Sequence, residues 1–260
     1  MARFPRPRRS RIVVGAVVGS LVVAGIAGAR AGLFARDHAR AASVEDALKR
    51  FRDGEHAATR LEGVYLLDTV GKESLDVLGG AKHRYPATTT ITVLRTACGL
   101  HLDWRALEGR GTGWELCSTP AGIELRSSAE RHTFFWQSDT TRYACTGLLL
   151  TAAGEAGASG APRPYTCTTL KGREEGETRT LGTERVTVGG TTVQAEHVHS
   201  ESAISGANKG RETVDWWLDR ATALPVRIVL HSRSSRHTIV GTAHYSEDAD
   251  LRLTSLTPRR

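Results

Sequence analysis

The period-two run between residues 213 and 230 constrains this chain more than any other feature. Val214, Trp216 and Leu218 alternate with Thr213, Asp215 and Trp217. After the turn Asp219-Arg220-Ala221-Thr222, Leu224, Val226, Ile228 and Leu230 alternate with Pro225, Arg227 and Val229. Side chains return to one side every two residues in a strand and every 3.6 in a helix, so this stretch reads as an antiparallel hairpin with one apolar face. That face has to be covered by a helix, another sheet or a ligand.

Neighbouring segments repeat the pattern. Val186 and Val188 lead into Gly189-Gly190, a two-residue hairpin turn, and then into 192–198. Ile239, Ala243 and Tyr245 share a face, and Leu251 and Leu253 close the set. Upstream, 63–67, 88–94, 133–136 and 143–150 are rich in β-branched and aromatic residues. Trp104 and Trp114 flank a turn marked by Gly109, Gly111 and Gly113, and are expected, with Trp136, to pack near the cysteines beside them. Ser43, followed three residues later by Asp46, reads as a capping box, and Val44, Ala47, Leu48 and Phe51 then fall at helical spacing until Gly54. The expected fold is mainly β (α+β): a short amphipathic helix over 44–53, then a large curved antiparallel sheet or half-barrel. It divides into blocks 43–151 and 165–257, joined by the Gly- and Pro-rich loop 152–164.

The N-terminus reads as an address. Residues 12–29 carry no charge, and Arg3, Arg6, Arg8, Arg9 and Arg11 precede them. A helix of that length spans roughly 27 Å, close to the hydrocarbon core of a bilayer. Residues 1–11 are expected in the cytoplasm by the positive-inside rule, 12–33 across the membrane as a signal anchor, and the rest outside. The rival reading is a cleaved signal peptide, which would release the body; Ala29-Arg30-Ala31 and Ala39-Arg40-Ala41 have the small-x-small form of cleavage sites. The anchor segment also carries the basic excess. The chain has 35 Lys and Arg against 28 Asp and Glu, but residues 1–30 hold six Arg and no acid, leaving 29 against 28 for the remainder. A neutral body lacks the electrostatic footprint of a nucleic-acid binder.

All four cysteines, Cys98, Cys117, Cys145 and Cys167, lie in the expected outside portion, and an even count in an exported chain implies two disulfides. Of three connectivities, Cys98–Cys117 with Cys145–Cys167 is preferred, because each pair brackets one short, turn-rich segment. Zinc would want C-x₂₋₄-C spacing, whereas the intervening gaps are 18, 27 and 21 residues.

The run 186–198, then Val214-Asp215-Trp216-Trp217-Leu218-Asp219, then Leu224-Pro225-Val226-Arg227, resembles the strand-turn-strand core of lipoprotein-carrier and RseB-like half-barrels. The likeness covers 183–257, and the order of parts in the whole chain is similar to that of uncharacterised actinobacterial membrane-anchored proteins. The resemblance implies a curved sheet wrapped around helices, with a cavity for acyl chains or a surface for a partner. Two disulfides and extra strands in the first block depart from that pattern.

Catalytic signals are sparse. His197 and His199 share a strand face and with Glu212 or Asp215 could hold a metal, but a His pair without a spaced third ligand is a weak signal. Glu73, Asp76, Glu115, Asp215 and Asp219 are scattered, and Asp219 reads as the cap of the turn before Pro225. No nucleophile elbow, zincin or P-loop motif occurs. The expected function is a non-enzymatic extracytoplasmic domain without cofactor or metal. It would bind a lipidic ligand or an envelope protein along Val214, Trp216, Leu218, Leu224, Val226, Ile228 and Leu230. A regulatory or sensory subunit acting by protein contact is the alternative, and an envelope hydrolase a more distant one.

Overall fold

The structure, a computed structural model, describes residues 39–54, 59–77, 79–135, 137–152, 160–239 and 241–260. The expected cytoplasmic segment, the membrane span and Trp136 lie outside the described residues. Among those described, no helix is long and apolar enough to cross a membrane.

The capping box works as read. Helix α1 (Val44–Asp53) starts where Ser43 Oγ accepts the Asp46 amide at 3.0 Å, with Glu45 and Asp46 in the first turn and Arg50 and Arg52 in the last, complementing the helix dipole. Its apolar stripe is short. Ala47 and Phe51 are buried against Val64, beside Leu48 and Leu94, on the outer face of the sheet.

Everything else described is strand and turn. β1 (Gly63–Asp76), β2 (Ala81–Arg84), β3 (Thr88–Arg95), β4 (Gly99–Leu107), β5 (Arg110–Thr119), β6 (Gly122–Phe134), β7 (Gln137–Thr146) and β8 (Leu149–Ala152) come first. β9 (Arg163–Thr168), β10 (Gly172–Val188), β11 (Thr191–Gly206), β12 (Lys209–Asp219), β13 (Pro225–Thr238) and β14 (Gly241–Leu253) follow. All pair antiparallel in one sheet. The turn between β10 and β11 is Gly189-Gly190 with φ of 54° and 82°, the left-handed pair that a two-residue hairpin requires.

The large antiparallel sheet is the one expected, but it closes on itself rather than stopping as a half-barrel. β1 holds β3 and then β2 along one edge and β14 along the other, from Leu67–Leu253 to Asp76–His244. The circuit runs β1, β3 to β7, β9 to β14 and back to β1, with β8 paired to β6 beside it. Closure removes the open edges that an isolated curved sheet would expose. Its narrowest seam joins β7 to β9 through Ala144–Thr168, Cys145–Cys167 and Thr146–Thr166 alone.

Closure also decides what covers the apolar face. Helices do not; the opposite wall does. Trp114 of β5 meets Trp216 of β12 edge to face at 5.3 Å, and Trp104 stacks on Trp114 at 6.4 Å. Trp104 and Trp114 thus reach into the barrel rather than simply flanking a disulfide. The outer wall carries ion pairs, Arg227 and Arg252 with Asp250, Arg233 and His231 with Asp248. A barrel embedded in lipid carries an apolar outer band instead, so this wall faces water.

Candidate functional site

Inside the barrel the strands change character along their length. On β12, inward Leu218, Trp216 and Val214 are followed by Glu212; on β14, Leu253, Leu251 and Ala249 are followed by Glu247. Register aligns these changes. Ser202, Glu212, Ser232, Glu247, Glu73 and His83 are successive cross-strand partners from β11 to β2. The same layer receives Glu130 and His132 from β6, Tyr143 from β7, Tyr165 from β9 and Glu174 from β10. Glu130 and His132 project inward yet keep 23% and 21% of their side-chain surface accessible. The polar half of the barrel, hereafter the chamber, is therefore less tightly closed than the apolar half, which is filled.

One side of the chamber is a closed ionic network. Arg110, 1% exposed, grips Glu247 through Nε to Oε1 at 2.9 Å and Nη2 to Oε2 at 2.7 Å. Its remaining Nη1 donates to Gly111 O and Thr112 Oγ1, and its face lies 5.1 Å from the Trp104 ring. The Tyr85 and Tyr245 hydroxyls donate to the same Glu247. Gly71 makes room for Tyr85: a Cβ there would lie 2.5 Å from the Tyr85 ring. Glu73 takes His83 Nδ1 at 2.9 Å and His132 Nδ1 at 3.2 Å. Burial alone would raise the Glu73 carboxyl, but those hydrogen bonds and the charges of His132 and Arg110 hold it at about 2. Burial and the Arg110 charge push His132 down, yet Glu130 and Glu73 together raise it above its ordinary value.

The other side holds Glu130, Glu174 and Glu212. Glu130 is lowered despite burial, because His132 bonds it and Arg110 is near. Glu174 is pushed up to about 8, first by burial and then by the charge of Glu130, although the Tyr143 hydroxyl bonds it. Glu212 is raised well above the carboxylate range by burial and by Glu174, Glu130 and Glu247.

At the other ends of the same strands lies a cleft of about 790 Å³. Leu61, Val193, Leu224 and Leu256 supply apolar lining, and Thr59, Arg60, Arg95, Asp219 and Thr222 the polar part. Asp219 fixes the adjoining turn by accepting the Thr222 hydroxyl at 2.6 Å, so the cap read from sequence is present.

Both disulfides link the preferred partners, Cys98 with Cys117 and Cys145 with Cys167. Bonds of this kind belong to chains that fold in an oxidising compartment. Of the residues expected to line a ligand, Leu224 opens on the cleft. Trp216, Leu218, Val226, Ile228 and Leu230 are buried in the packed interior, and Val214 is half-buried at the chamber's margin. They do not line free space because closure brings them into one packed core, with Trp114 of β5 against Trp216. His197, His199 and Asp215 do come together, on the outer wall: His197 Nε2 and His199 Nδ1 both reach Asp215 Oδ1, at 2.9 and 3.0 Å. His197 also contacts Glu184 and stacks on Trp217 at 4.0 Å, so Trp217 is an outer-wall residue under Arg227. Glu115 lies against Cys98 and Cys117 closely enough to form a metal-sized group, but the sulfurs bond each other.

The chamber was missed because Glu73 stood among the scattered acids and Glu212 was read with His197 and His199, which lie on the outer wall while Glu212 points inward. A usable signal was present: Glu212 and Glu247 continue apolar period-two faces, where an ionisable residue is out of place unless it is paired or functional.

No protein-family model matches the chain, and no curated protein does. Among solved structures it is similar to a hypothetical lipoprotein, YmcC, from Escherichia coli K12, at 10% identity and a TM-score of 0.29 over 74% of this chain and 85% of that one. So slight an overlap carries no argument about the fold or function of this chain.

Proposed function

We propose that this chain is a non-catalytic extracytoplasmic binding domain, held at the membrane by its N-terminal apolar run, that takes an amphiphilic ligand in the cleft beside Leu224. The cleft carries the reading. Its volume of about 790 Å³ falls within the usual range for small-ligand sites, and its lining combines Leu61, Val193, Ala221, Leu224 and Leu256 with Arg60 and Arg95, Asp219 being held by its own turn. Among the described residues neither the Arg60 nor the Arg95 guanidinium has a hydrogen-bond or ion-pair partner. That combination suits an apolar chain ending in an anionic group. The disulfides support an envelope location. The bidentate Arg110–Glu247 pair and the His–Glu73 contacts support a structural use of those buried charges rather than turnover.

Native mass spectrometry of the full chain, purified non-reduced, tests this. A retained acyl-chain mass is expected, lost or weakened about tenfold in Leu224→Asp and in the Arg60→Ala/Arg95→Ala double variant. An empty chain that instead co-purifies with an envelope protein would overturn the ligand reading in favour of a regulatory contact.

A further inference from the structure

We propose that the hairpin tips at the chamber end of the barrel rest on an anionic lipid bilayer, with Leu170 and Ile239 entering the headgroup region and Lys171, Lys209 and Arg236 meeting its phosphates. This rests on the membrane attachment proposed above and adds which end of the barrel faces the bilayer.

The antiparallel order puts the β9–β10, β11–β12 and β13–β14 turns together at that end. Turns in water favour Gly, Asn, Asp and Ser. Here Leu170 stands fully exposed between β9 and β10, and Ile239 is 73% exposed between β13 and β14. β10 and β13 are three strands apart, about 15 Å at ordinary strand spacing, so one flat surface can receive both side chains. Val70 and Leu181, also exposed, sit singly within strands of the side wall, which is ordinary for apolar surface residues.

Charge on the same tips names the partner. Lys171, Lys209 and Arg236 are exposed, and among the described residues none of their side chains has a hydrogen-bond or ion-pair partner. Exposed Glu175 is taken by Arg173, and Asp76 at the end of β1 offsets one of the three cations. Apolar tips ringed by surplus positive charge match an anionic headgroup layer over hydrocarbon. A protein partner would call for one contiguous apolar patch instead.

The path of the chain agrees. Its described part enters at this end: Arg40 O accepts the Glu108 amide in the β4–β5 turn at 2.9 Å, and the Ala42 amide donates to Ala106 O at 3.3 Å. Only nine residues, 30–38, separate that entry from the uncharged run 12–29. Fully extended they reach about 30 Å, so a membrane-held run would tether this end of the barrel. The cleft, at the other ends of the strands, would open away from the bilayer.

Spin labelling of the full chain in vesicles of equal parts phosphatidylglycerol and phosphatidylcholine tests this. The four native cysteines are paired, so Asn208→Cys in the β11–β12 tip takes the label alone, and Thr191→Cys, exposed at the β10–β11 tip of the cleft end, is the control. The Asn208 label should become more accessible to oxygen than to an aqueous nickel chelate, and the Thr191 label should stay the reverse. That preference should be lost in Leu170→Ser/Ile239→Ser, in Lys171→Glu/Lys209→Glu/Arg236→Glu, and in vesicles of phosphatidylcholine alone. All five positions are exposed, so circular dichroism should match the parent's. Resistance to an alkaline carbonate wash reads the attachment separately. An Asn208 label that stays in water on a wash-resistant chain overturns the docking and leaves the attachment standing. A chain that the wash removes overturns both. A label that is immobilised only on adding an envelope protein, with no preference for oxygen, overturns the docking in favour of a protein contact.

Discussion

Glu174 and Glu73 sit in one chamber and respond to acid in opposite ways. The Glu174 carboxyl is raised from 4.5 to about 8, by burial and then by Glu130. Between those values the folded chain holds a proton that the unfolded chain has lost, so stability is full below about 4.5 and falls as pH climbs toward 8. Glu174→Gln cannot ionise and should flatten that fall. Urea midpoints measured across pH 5 to 8 should coincide at the acid end and favour the variant at pH 8 by an amount on the order of a few kcal/mol. Glu73, held at about 2, runs the other way: its contribution is present above 4.5 and is lost as pH drops toward 2. A parent curve that rises from pH 5 to 8 would contradict this account of Glu174.

At the scale of elements, the β7–β9 seam is the weak place in the ring. It is short, and Cys145–Cys167 crosses it between direct ladder partners. Cys98–Cys117 instead ties the residue just before β4 to β5, and those strands already pair from Gly99–Cys117 to Leu107–Arg110. The separations are 22 and 19 residues, so chain entropy alone gives each bond about 3 kcal/mol. The difference should appear locally. Replacing Cys145 and Cys167 with Ser should raise amide exchange in β7 and β9 well above the rest of the sheet. Replacing Cys98 and Cys117 should lower global stability by a similar amount without opening that seam. Hydrogen-exchange mass spectrometry distinguishes the two, and equal protection of β7 and β9 in both variants would remove the staple role.

For the whole molecule, closure ties the two ends of the sheet together. Leu67 pairs with Leu253, and past β14 Val64 and Arg259 exchange backbone hydrogen bonds of 2.9 and 2.8 Å. Contacts this far apart in sequence make folding slow and cooperative. The interior is also shared, since Trp114 from the first part packs on Trp216 from the second. Fragments 43–151 and 165–257 should therefore each fail to fold alone, showing no dispersed amide NMR spectrum, while the intact chain should melt in one transition. A folded 165–257 fragment would restore the half-barrel reading.

Much of this architecture follows from local chemistry in the sequence. Period-two alternation sets the strands, Ser43 and Asp46 set the helix start, Gly189-Gly190 sets a hairpin, and cysteines bracketing short turn-rich segments pair with each other. Each depends on residues close along the chain, where propensity and sterics suffice. What covers the apolar face of Trp216 and Ile228 is not local. It depends on β14 finding β1, which turned an expected ligand lining into packed core and left Leu224 at the cleft. The chamber is more remote still. Glu73, Glu130, Glu174, Glu212 and Glu247 come from five strands, and a register shift of one residue would turn any of them outward. The sequence determined which strands had an inner face. Only the closed tertiary structure decided that their acids would meet, because burial and mutual repulsion exist only once the barrel encloses them.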